Sequence, residues 1–133
     1  MSAARGHGPG VRAHWRGRPL AAVLFDLDGT VLDTAGDIAL ALNRALGEQG
    51  RPALPVEAVR TMIGRGSPML VRRAAAAGGM PLDEAGYSQL LARYFDHYAA
   101  LECSAERTAR PFDGAVAALR GLHAAGLAIA IVT

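Results

Sequence analysis

Apolar residues run without a break from Ala22 to Phe25 and stop at an acid, Asp26. So short a run predicts a buried strand over 21–26, because a helix needs more length. From Asp37 onward the period changes. Ile38, Leu42 and Leu46 recur every fourth residue with Ala41 and Ala45 beside them, which is one face of an amphipathic helix. Gly50 and Pro52 stop it. Pro55 suits the first turn of a second helix that turns Val56, Val59, Met62 and Ile63 inward. Gly64-Arg65-Gly66 is a break, and Ser67-Pro68 starts a third helix, with Ser67 as cap and Pro68 at the first helical position. Gly78-Gly79 ends it. A fourth helix over 82–99 carries Tyr87, Leu91, Tyr94, Phe95 and Tyr98 on one face, a stripe that predicts core packing. Pro111-Phe112-Asp113-Gly114 leads into a helix with Val116, Leu119 and Leu122, and after Gly126 a second strand is predicted over 127–132.

This order places a helical insertion between two strands of an α/β fold. The chemistry sits at the end of the first strand. In extended backbone, residues i and i+2 point to one side, so Asp26 and Asp28 can face one small volume at the strand's carboxyl end. Open α/β sheets bind ligands there. Two carboxylates held close need a cation between them or a retained proton. A hard cation such as Mg2+ takes oxygen ligands. One carboxylate can attack phosphorus, and the other can give a proton to a leaving alcohol. Gly29 lets the chain turn, and Thr30 offers a hydroxyl and an N–H to a phosphate oxygen. Asp-x-Asp-Gly also begins calcium loops, but such a loop places its Gly sixth and a Glu twelfth. Here the Gly is fourth and position twelve is Asp37.

At Phe25 to Thr34 the chain resembles the haloacid dehalogenase-like (HAD) hydrolase superfamily, whose first motif is Asp-x-Asp-x-Thr after a hydrophobic strand. Within it, Ala35 to Gly50, Ile63-Gly64-Arg65-Gly66, Tyr94 to Tyr98 and Arg110 to Gly114 look most like bacterial phosphoglycolate phosphatases. The resemblance implies a Rossmann-like core, in two parts at 19–34 and 109–133, with an α-helical cap inserted at 35–108. It implies that Asp26 is the nucleophile and Asp28 the general acid/base. A carboxylate oxygen of Asp26 and the backbone carbonyl of Asp28 would bind Mg2+. Thr30 and Thr133 would meet the phosphoryl group, Thr133 as the second motif. The expected reaction is hydrolysis of a small phosphate monoester, 2-phosphoglycolate above others, through an aspartyl-phosphate. A sugar-phosphate phosphatase, a phosphomutase and a non-catalytic fragment are the alternatives.

The family's third motif requires a Lys, and all fourteen basic residues here are Arg. The acids of the fourth motif are likewise missing. The sequence therefore reads as the amino-terminal part of an enzyme, with an incomplete core and no activity of its own. Arg65, between two glycines, could approach a ligand carboxylate or be a solvated loop charge. His97 reads as a local packing or capping residue.

Composition adds limits. Hydrophobic residues make up 51% of the chain, ample for a core, and the net charge is only +2. Arg5, Arg12, Arg16 and Arg18 lie in a start that holds no acid, so the basic character belongs to a tail, 1–18, rich in Gly and expected to be disordered. A solvated tail is expected there, with no nucleic-acid partner. No apolar stretch approaches the ~18 residues of a membrane span, so no membrane partner is expected. One Cys, Cys103, excludes an internal disulfide, and a reducing cytoplasm fits.

Overall fold

The computed structural model describes residues 13–79 and 81–132. Its elements are β1 (His14–Trp15), β2 (Arg18–Pro19), β3 (Ala22–Asp26), β4 (Leu32–Asp33), α1 (Ala35–Glu48), α2 (Val56–Arg60), α3 (Ser67–Ala77), α4 (Glu84–Glu102), β5 (Arg110–Pro111), α5 (Ala115–Ala124) and β6 (Ala128–Val132). The two expected strands are β3 and β6. They pair in parallel, from Ala22↔Ala128 to Asp26↔Val132. A parallel pair needs a long crossover, and here everything from α1 to α5 lies within it.

Between the sheet and the helices the chain makes a tight turn. The Leu27 carbonyl accepts from the N–H groups of Thr30, Val31 and Leu32, and Gly29 N–H donates to the Leu32 carbonyl at 2.9 Å. Gly29 has φ 78°, a conformation that glycine adopts without a Cβ penalty. The chain then forms β4, which pairs antiparallel with β5 through Leu32↔Pro111 and Asp33↔Arg110. This two-rung ladder was not foreseen. It ties the segment leaving the sheet to the segment returning.

A single apolar core lies among α1, α2, α3 and α4, with Leu42, Leu46, Val59, Val71, Leu90 and Leu101 fully buried. The period-four face read from Ile38 onward is the α1 contribution. The end of α1 closes in a Schellman motif: Gly50 N–H donates to Gly47 O and Arg51 N–H to Leu46 O, both at 3.0 Å. Asp83 caps α4 by accepting from Gly86 N–H at 2.8 Å, so this helix runs Glu84–Glu102 instead of 82–99.

Other expectations are corrected. Ser67 is not the cap of α3; Gly66 holds that position with φ 79°, and Ser67 is the first helical residue. Val56 is 39% and Phe95 49% exposed, although both were expected inside. α2 is only five residues long and buries Val59 alone. On α4 the buried line is Leu90, Tyr94 and Leu101, and Phe95 stands about 100° round the helix from Tyr94. Of the tail, residues 1–12 lie outside the described residues. Where disorder was expected at 13–18, His14–Trp15 and Arg18–Pro19 pair as an antiparallel hairpin. Its two-residue loop, Arg16 (φ 48°) and Gly17 (φ 77°), has the positive φ values that tight hairpins need.

The α/β end is thinly covered. α5 has no buried residue, and Leu24 on β3 is 68% exposed, as are Ile131 and Val132 on β6 to a lesser degree. Parallel strands are ordinarily covered on both faces.

Candidate active site

β3 ends at Asp26, and the turn that follows carries Asp28. Both residues line one cavity of about 320 Å³. The two acids share one space, as read from the sequence, but the turn at Leu27 and not extended backbone brings Asp28 there. The remaining walls come from the helical region: Ile38 of α1, Ile63, Gly64 and Gly66 of the break, Ser67 and Leu70 of α3, and Tyr94 of α4. The helical insertion thus roofs the carboxylate pair.

The two acids differ in surroundings. Asp26 is exposed, and its Oδ1 accepts from the backbone N–H of Leu27 at 3.0 Å. Asp28 is half-buried, and its Oδ1 accepts from Thr34 Oγ1 at 2.8 Å. Asp28 also lines two adjoining cavities, one with Arg60 and Phe112, the other with Tyr98 and Arg107. It is the residue on which the three spaces meet. Arg60 is engaged by Asp33 at 2.9 Å. That guanidinium holds the Asp33 carboxyl below its ordinary value, chiefly through the hydrogen bond.

Burial pushes the Tyr94 phenol well above the ordinary tyrosine range; the nearby phenol of Tyr98 adds to the rise, and a hydrogen bond with Ser67 opposes it. Tyr98 is raised as well, by burial first and then by the carboxylates of Asp28 and Asp37. Both phenols are therefore protonated donors at neutral pH.

The structure does not gather every residue named from the sequence. Thr30 is exposed and outside the cavity lining, with its N–H turned to Leu27 O at 3.3 Å. Arg65 is exposed too; Gly64 and Gly66 on either side of it line the cavity, and Arg65 does not. Thr133 lies outside the described residues. His97 was read as a local packing or capping residue; instead its Nε2 meets Glu48 Oε1 of α1 at 2.8 Å, beside Arg93.

Two residues were missed. Thr34, inside the first motif, was not read as the partner of Asp28. Asp37 is buried and accepts from Thr108 N–H and Thr108 Oγ1, each at 2.7 Å, and from Ala109 N–H at 3.2 Å. It fastens the start of α1 to the returning strand segment. A lone acid in the first turn of a helix was the only signal available, and it is equally the signal of a dipole partner.

As a metal site, Asp26 offers a carboxylate oxygen and Asp28 a backbone carbonyl oxygen, and among the described residues no cluster of three or more His, Cys, Asp or Glu side chains exists. Mg2+ commonly takes one or two carboxylates and completes its shell with water and phosphate oxygen. The pair fits a site of that kind.

Residues 23–133 match the family model of haloacid dehalogenase-like hydrolases. The phosphoglycolate phosphatase of Caulobacter vibrioides is 42% identical over 113 residues, which is 85% of this chain and 46% of that protein. The phosphoglycolate phosphatase of Cereibacter sphaeroides is 38% identical over 114 residues, 86% of this chain and 51% of its own length. A crystal structure of a predicted phosphoglycolate phosphatase from Haemophilus somnus aligns with TM-score 0.70 and 28% identity, over 86% of this chain and 51% of that one. This chain thus spans about half the length of the relatives it matches. With the Asp26–Asp28 pair at the end of its first long strand and helices inserted before the parallel partner strand, the chain belongs to the haloacid dehalogenase-like hydrolase family.

Proposed function

We propose that the full-length protein is a Mg2+-dependent phosphatase acting on a small phosphate monoester, 2-phosphoglycolate above others. The observation that carries this reading is the opening of both Asp26 and Asp28 into one small cavity under a helical roof. The names of the relatives supply the choice of ester.

The chemistry follows from the two acids. A carboxylate oxygen of Asp26 attacks phosphorus, and the bond from phosphorus to the ester oxygen breaks. Asp28, protonated, gives its proton to the leaving alkoxide, so an alcohol departs. Asp28 then takes a proton from water as that water attacks phosphorus, releasing inorganic phosphate and restoring the Asp26 carboxylate. The Asp26 side chain and the Asp28 backbone carbonyl are the groups that would hold Mg2+, which offsets the negative charge of carboxylate and phosphate. Thr34 keeps the Asp28 carboxyl in one orientation while this happens. Ile38, Ile63 and Leu70 give the helical side of the site an apolar lining. Among the described residues no helix is long and apolar enough to cross a membrane.

The test is a panel of phosphate esters with and without Mg2+. Turnover of 2-phosphoglycolate that disappears in excess chelator supports the reading, and full turnover in chelator defeats it.

A further inference from the structure

The hairpin of β1 and β2 lies ahead of residues 23–133, which the family model matches, so the hydrolase fold does not require it. Every residue from His14 to Pro19 is exposed. Trp15 is 64% exposed and has no part in the helical core. Its ring has two cationic neighbours. The guanidinium carbon of Arg16 lies 5.7 Å from the ring centroid. Arg18 is the cross-strand partner of Trp15, which puts the two side chains on one face of the hairpin. Leu20 N–H donates to the Ala13 carbonyl at 2.8 Å and extends the ladder below them. Residues 1–25 carry Arg5, Arg12, Arg16 and Arg18 and no Asp or Glu. The hairpin feeds β3 at Ala22, the end opposite Asp26, and none of its residues lines the cavity.

We infer that the β1–β2 hairpin is a docking surface for single-stranded nucleic acid, with Trp15 as a stacking platform and Arg16 and Arg18 as phosphate contacts. The surface is independent of the phosphatase reading. Its charge fits a polyanion, because four Arg without an acid leave nothing on this segment to repel phosphate. The exposed ring decides among polyanions. An acidic protein surface would be held by the guanidiniums alone and would leave the indole without a use. An anionic membrane takes up an aromatic side chain together with apolar neighbours, and the rest of the exposed hairpin is His14, Arg16, Gly17, Arg18 and Pro19. A duplex keeps its bases stacked on one another. A single strand has free base faces, and an aromatic ring beside cations holds such a strand without reading its sequence. The two-residue loop, with Arg16 at φ 48° and Gly17 at φ 77°, fixes the turn. Trp15 and its two arginines are thus set in place before a strand arrives, which lowers the ordering cost of binding. The sequence suggested a solvated tail here; the pairing of His14–Trp15 with Arg18–Pro19 makes it a structured face.

The experiment follows the fluorescence anisotropy of a labelled deoxythymidine oligomer of about twelve nucleotides, within the site sizes that such surfaces cover. It is titrated with the full-length protein at several salt concentrations. The same oligomer paired with deoxyadenosine, inorganic polyphosphate and phosphatidylserine vesicles serve as competitors. The unsubstituted protein should bind the single strand, with each competitor about tenfold or more weaker. Trp15→Ala should weaken binding about tenfold, while Trp15→Phe, which keeps an aromatic ring, should retain most of it. Arg16→Gln and Arg18→Gln together should lower the slope of log affinity against log salt by about 1.4. No binding of the single strand overturns the inference, as does equal binding by Trp15→Ala and the unsubstituted protein. Tighter binding to duplex, polyphosphate or vesicles overturns it too, since each of these replaces base stacking with another partner.

Discussion

Thr34 Oγ1 donates a hydrogen bond to Asp28 Oδ1 at 2.8 Å. Thr34 is also the N-cap residue of α1, and it is buried, yet its side chain does not cap that helix. A buried hydroxyl that could have satisfied a helix end is spent on a carboxylate in the cavity. Thr34→Val keeps the shape and removes the donor. The variant should lower kcat about tenfold, the worth of a hydrogen bond to a charged group, while Thr34→Ser restores it. Equal rates for the Val and Ser variants would show that the hydroxyl does not position Asp28.

Asp28 itself carries a larger share. Asp28→Asn should slow turnover by roughly 10²–10⁴-fold. The loss should be greatest for esters of poorly leaving alcohols, since these need the proton most. Kinetics across leaving groups of graded pKa check this. A uniform loss would mean that Asp28 is not the proton donor.

The Asp37 clamp predicts a stability effect without a role in chemistry. Asp37→Ala leaves the N–H groups of Thr108 and Ala109 and the Thr108 hydroxyl without their acceptor. The expected cost is about 2–3 kcal/mol, measurable by denaturant unfolding. Gly36→Ala tests the same junction from the other side, because a Cβ at Gly36 would stand 2.7 Å from Thr108 Oγ1. It should destabilise by about 1–3 kcal/mol through overpacking. Wild-type stability in either variant would mean that the two linkers are not fastened here.

Acid should loosen the α1–α4 pair. Arg93, and then His97, hydrogen-bond Glu48 and draw its carboxyl from 4.5 to about 2. A depressed acid contributes stability that is present above its unfolded value and is lost as pH falls toward the folded one. The window is therefore from about pH 4.5 down to about 2. The group is exposed, so solvent screening keeps the effect small. Glu48→Gln should lower the melting temperature slightly at pH 7, and the gap to the unsubstituted protein should close across that window. A gap that stays constant through it would remove the Glu48 linkage.

Much of this was legible before any coordinates. The apolar run Ala22 to Phe25 located β3, and the two acids after it marked the floor of the cavity, because both are local features; its helical walls are not. The α1 face from Ile38 to Leu46 was legible for the same reason. Asp37 with Thr108 was not, because 71 residues separate them and nothing in either neighbourhood names the other. Val56 and Phe95 failed because apolar character marks what can be buried, and tertiary packing chooses which side of a helix is. Ser67 failed as a cap because Gly66, with its positive φ, took the position.

The nucleophile assignment is the centre of the account, and trapping tests it most directly. The full-length protein, mixed with 2-phosphoglycolate and Mg2+ and quenched in acid within one turnover, is digested and its peptides are weighed. One phosphoryl group should appear on the peptide that holds Asp26. It should be absent in Asp26→Asn, whose turnover should be abolished because an amide cannot attack phosphorus. A phosphoryl group on another peptide, or an Asp26→Asn protein that retains most of its kcat, would contradict it.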